Sequence, residues 1–102
     1  MRKVKPILAR NAAELAAVLG LSRADAVNME IRRKINQKII DALGKSDLTH
    51  NEAAKLAQTS RSRLTALLNR NTAGISTDLM LRILLALGYR ATITFSRSRP
   101  AA

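Results

Sequence analysis

The stretch from Leu48 to Leu68, LTHNEAAKLAQTSRSRLTALL, holds two helix starts so close together that it favours two short helices joined by a tight turn. Thr49 and Glu52 form a T-x-x-E capping box, which satisfies orphan N–H groups and starts a helix at about His50. Ala53, Leu56 and Ala57 give this helix a narrow apolar side, and Ala54 is small where another helix would cross it. Gln58 and Thr59 break the pattern, and Ser60 is a good N-cap for the next helix. In that second helix Leu64, Leu67 and Leu68 recur at the spacing of a buried face. Arg61, Ser62, Thr65 and Asn69 are left facing out. Such a face offers the donors and acceptors that read base edges and phosphates in the major groove of duplex DNA.

The flanks supply further helices. VLG at Gly20, ALG at Gly44 and ALG at Gly88 each place glycine just past a leucine-rich run, the signal of a helix end. Matching starts lie at Asn11 with Glu14, Ser22 with Asp25, and Ser76 with Asp78. The pattern predicts helices near 11–19, 23–43, 50–57, 61–69 and 77–87. In the long one, Val27, Ile31, Ile35, Ile39 and Leu43 step by four down one side, with Arg33, Asn36 and Gln37 opposite. After Gly88 the period changes to two: Tyr89, Ala91, Ile93 and Phe95 alternate with Arg90, Thr92, Thr94 and Ser96. That alternation predicts a strand. With no partner in its own chain, the strand is expected to pair antiparallel with its copy across a two-fold axis.

The segment LTHNEAAKLAQTSRSRLTALLNRN, followed by STDLMLRILLALG, resembles the Xre/Cro-type helix-turn-helix regulators. Its LTxxEAAxL opening and LGYRATITF ending are similar to the host-inhibition-of-growth type of antitoxins, and the similarity runs from about Met29 to Phe95. The resemblance implies an all-α, five-helix lambda-repressor-like domain, to which the periodicity adds one C-terminal β-strand pairing across a homodimer. It also implies a repressor of its own promoter and an operon partner, a small RelE-like ribonuclease toxin. Three positions depart from the family pattern. Gln58 and Arg70 stand where glycine is usual, and His50 where glutamine is usual.

Position along the recognition helix divides the candidate DNA contacts. Arg61 and Ser62 lie in its first turn and Thr65 follows Arg61 by four, so these three are assigned to bases. Ser60, Arg63, Asn69 and Arg70 lie toward the groove walls and are assigned to phosphates. His50 joins them as the counterpart of the family's glutamine. Ala91, Ile93 and Phe95 are assigned to dimerisation.

Eighteen Lys and Arg against seven Asp and Glu give a net charge of +11, which favours a polyanionic partner. The charge is uneven. Arg61, Arg63 and Arg70 crowd the recognition helix, whereas residues 11–30 form the one net-acidic segment and the expected contact for a toxin. A stand-alone Xre-family repressor is the nearest alternative, and a nonspecific nucleoid-type DNA-binding protein is a further one. Aromatics make up 2% of the chain, too few for the stacking platforms of a single-strand or RNA binder. There is no cysteine, and His50 is the sole histidine, so no metal site and no cofactor are expected. Neither a phosphate-cradling loop nor a nucleophile with an evident base is present, so no enzymatic activity is expected. No apolar run approaches the ~20 residues of a membrane span and no signal peptide is evident, so the bacterial cytoplasm is the expected location. The expected organisation is a 1–22 N-terminal extension with a short helix, a 23–88 DNA-binding domain, an 89–96 dimerisation strand and a 97–102 flexible tail.

Overall fold

A computed structural model describes residues 22–97. Four helices follow in order: α1 (Arg23–Lys45), α2 (His50–Leu56), α3 (Arg61–Leu68) and α4 (Thr77–Ala86). Each begins at a hydroxyl-bearing residue, Ser22, Thr49, Ser60 or Ser76, whose side chain accepts from the backbone N–H three residues on. Ser22 with Asp25 and Thr49 with Glu52 complete reciprocal capping boxes. These contacts satisfy orphan donors that would otherwise fray the first turn.

Three helix ends share one geometry. After α2, Gln58 N donates to Lys55 O and Thr59 N to Ala54 O. After α3, Arg70 N donates to Leu67 O and Asn71 N to Ala66 O; after α4, Gly88 N donates to Leu85 O and Tyr89 N to Leu84 O. This is the Schellman pattern, which needs a left-handed residue at its pivot. The pivots have φ of 56° at Gln58, 62° at Arg70 and 93° at Gly88. The two non-glycine pivots are the positions where related proteins were expected to carry glycine. Gly44 does not end α1, which runs on to Lys45 and stops at Ser46, whose N–H and hydroxyl both donate to Leu43 O.

The core gathers Ile39 and Leu43 from α1, Ala53, Ala54 and Ala57 from α2 and its cap, Leu64 and Leu67 from α3, and Ile75, Met80, Ile83 and Leu84 around α4. α1 lies against α4 and α3, and α2 lies against α3 and α4. The buried alanines let α2 approach closely, while Leu56 points to solvent at 58% exposure. Ile39, Leu64 and Leu67 are fully enclosed.

Three expectations need correction. Among the described residues there are four helices, not five, and the helix expected at 11–19 lies outside them. Residues 89–97 form no strand, so the C-terminal β-strand pairing across a homodimer has no support. Alternation states which side chains would share a face, but a strand exists only through a hydrogen-bonded ladder, and no neighbouring segment among the described residues offers one. Ile93 is 74% and Phe95 90% exposed. Finally, the four-step series on α1 does not trace one face. A helix turns 100° per residue, so each step of four drifts by about 40°. Ile39 and Leu43 are buried, whereas Val27 and Ile31 are about half exposed, and Asn36, placed opposite, is buried. The segment beyond α4 does touch α1: the Lys38 Nζ sits 4.4 Å from the centre of the Tyr89 ring, a cation–π contact.

Candidate nucleic-acid interface

The α2 cap box fixes the start of the helix pair, and the Gln58 pivot sets the turn between them. The Thr49 N–H donates to Glu52 Oε1 at 2.8 Å, while Glu52 N donates back to Thr49 Oγ1 at 3.1 Å. Hydrogen bonds from the Thr49 backbone, and then its hydroxyl, hold the Glu52 carboxyl below the usual carboxylate range. His50 is exposed as the first residue of α2.

α3 is pinned from beneath by Leu64 and Leu67, both at 0% exposure. Around that anchor Arg61, Ser62, Arg63, Thr65, Asn69 and Arg70 are all exposed; at 100° per residue Arg61, Ser62, Thr65 and Asn69 share one side, and Arg63 and Arg70 lie together further round the helix. The guanidinium groups of Arg61 and Arg63 make no hydrogen bond or ion pair among the described residues, which leaves all their donors available. Ser60 is the N-cap. Its Oγ accepts from Arg63 N at 3.1 Å and keeps its own proton to donate. Asn69 is the C-cap. Arg70 is tethered instead: its Nη1 donates to Gln37 Oε1 at 2.6 Å, and Gln37 Nε2 donates to Asp41 Oδ1 at 3.0 Å.

Sequence reasoning missed the part α1 plays. Asn36, 3% exposed, donates through Nδ2 to Leu67 O at 2.9 Å and so grips the last turn of α3. Its Oδ1 is buried without a partner. Arg32 donates to Thr77 Oγ1, Thr72 O and Ile75 O, spanning the link between α3 and α4. A helical wheel centred on Ile39 and Leu43 places Arg32 and Asn36 on the inward side. That signal was present in the sequence but hidden by the four-step series.

A family model described as a helix-turn-helix domain matches residues 13–96. The chain belongs to this helix-turn-helix family. Its two-helix unit is α2 with α3, and the family makes it a DNA-binding regulator. No curated protein and no solved structure matches the chain. Among the described residues of this helix-turn-helix protein, no helix is long and apolar enough to cross a membrane.

Proposed function

We propose that this helix-turn-helix protein is a sequence-specific repressor of the Xre type that reads duplex DNA with α3. The supporting observation is the pair of unpartnered guanidiniums, Arg61 and Arg63, beside Ser62 and Thr65 on a helix anchored by Leu64 and Leu67. Arg61, Ser62 and Thr65 take bases, and His50, Ser60, Arg63, Asn69 and Arg70 take phosphates. An arginine that bonds guanine O6 and N7 together is worth about 1–3 kcal/mol of discrimination.

The active form is a homodimer, which places two recognition helices on half-sites about 34 Å apart. Ala91, Ile93 and Phe95 supply side-chain contact to the second copy, a role supported by the exposure of Ile93 and Phe95 among the described residues. The regulator serves as the antitoxin of a toxin–antitoxin operon, with residues 11–30 as the acidic contact for a small RelE-like toxin. The net charge of +11 favours one alternative, a stand-alone repressor, because basic toxins prefer acidic partners. Co-purification with the product of the neighbouring gene separates the two.

Binding to a duplex selected by the protein from a random pool, and to a scrambled duplex, over a salt series tests the DNA assignment. Arg61→Ala should collapse the preference for the selected duplex. Arg63→Ala should weaken both duplexes alike and reduce the salt slope by about one. Equal losses on both duplexes for Arg61→Ala would remove it from the base-reading set.

A further inference from the structure

Beside the buried Ile75, the Arg32 side chain ties the α4 end of the link between α3 and α4 to α1. Arg32 is partly buried; its Nη1 donates to Thr77 Oγ1 at 2.8 Å, and its Nη2 to Thr72 O at 2.8 Å and to Ile75 O. Thr72 O also accepts from Ile75 N at 3.1 Å, so the guanidinium closes over a turn that the backbone has already begun. No carboxylate pairs with Arg32 among the described residues, and its charge is met by neutral oxygens alone. The planar fork reaches three acceptors at once, which a lysine ammonium does not do in this geometry. Charge-assisted bonds of this kind are the strong ones.

What Arg32 holds is the segment that leaves the C-terminal end of the recognition helix. With the first turn of α3 in the groove, the residues just past its last turn climb toward the phosphates. The N–H groups of Thr72 and Gly74 have no acceptor among the described residues, and Gly74 takes a left-handed φ of 73° with open space beside it. Arg70, at the other end of the same stretch, is fixed to α1 through Gln37. The stretch from Arg70 to Thr77 is therefore tied to α1 at both ends, with open donors between.

We propose that Arg32 is the positioning residue of a phosphate-binding wall formed by residues 70–76, without touching DNA itself. The proposal rests on the DNA-binding reading above and adds a residue that reading does not use. By presetting the wall, Arg32 spares the protein the cost of ordering the segment when the duplex arrives. Because phosphates carry no sequence information, the contribution is the same for every duplex.

Arg32→Met, Arg32→Lys and Thr77→Val, each with circular dichroism melts, are compared on the selected and scrambled duplexes over a salt series. Arg32→Met should lose about tenfold in affinity on both duplexes. Its salt slope should fall by at most about one, because Arg70 is the one cation in the 70–76 wall. Arg32→Lys should resemble Arg32→Met, because it keeps the charge but not the fork. Thr77→Val, which removes one of three acceptors, should show a smaller loss in the same direction. Wild-type affinity and slope in a folded Arg32→Met protein overturn the proposal. Rescue by lysine also does, since charge alone would then suffice. If Arg32→Met does not fold, unchanged binding by Thr77→Val overturns it. Failure of the wild type to bind any duplex sinks the DNA-binding reading as well, an outcome distinct from a wild type that binds and variants that match it.

Discussion

Gln58→Gly should make the protein more stable. Gln58 pivots the end of α2 at φ 56°, where its Cβ crowds the backbone. That conformation costs an L-residue about 1–2 kcal/mol. Glycine avoids this cost but gives the unfolded chain more freedom, which costs about 0.5–1 kcal/mol. The Gln58 side chain is exposed and makes no hydrogen bond among the described residues, so nothing else is lost. The net gain is about 0.7 kcal/mol, and in a domain of this size that raises Tm by about 3–6 °C. Differential scanning calorimetry measures the shift, and Gln58→Ala is the control, since it keeps the Cβ and should gain nothing. An unchanged or lower Tm for glycine, or an equal gain for alanine, would refute the backbone argument.

Arg70→Gly relieves the same strain at φ 62° but gives up the Gln37 bond, so Tm should move little while affinity falls on selected and scrambled duplexes alike; a specific loss on one duplex would contradict it. Leu64→Ala empties a site at 0% exposure beneath α3 and should cost about 3 kcal/mol by urea denaturation; a loss under about 1 kcal/mol would mean the site is not packed. The depressed carboxyl of Glu52 makes the α2 cap pH-dependent. A carboxyl whose folded pKa is depressed contributes stability that is present above its unfolded pKa and lost as pH falls through the folded value. Glu52→Gln should therefore be less stable than wild type near neutral pH and converge with it in acid, and a gap that persists in acid would argue against the cap.

The helix-turn-helix was legible because its signals are local. Thr49, Glu52 and Ser60 act within one helical turn, and each does in the structure what its spacing implies. The left-handed pivots at Gln58 and Arg70 were legible only as departures from a family pattern, since neither residue type announces positive φ by itself. α1 departs from its four-step pattern because its contacts are non-local. Stepping by four joined Val27 to Leu43, yet the accumulated rotation carries the two to different sides, and Asn36 and Arg32 face in because Leu67 O and the α3–α4 link offer them acceptors. Residues 89–96 show the converse limit. Period two is a property of side chains, whereas a strand depends on the backbone of a neighbour, which one sequence does not contain.

The contact between Lys38 and Tyr89 gives the protein a built-in optical probe. The chain has one tyrosine and no tryptophan, so its intrinsic emission comes from a ring lying under an ammonium group at the junction of α1 and the segment beyond α4. The aliphatic core contributes nothing at those wavelengths, and α3 carries no chromophore. Once absorption by added DNA is corrected for, a ligand that disturbs the α1–Tyr89 junction changes the emission, while one that engages α3 alone leaves Tyr89 and Lys38 in place. Spectroscopy without any label can therefore tell an event at the far end of the chain from one at the recognition helix.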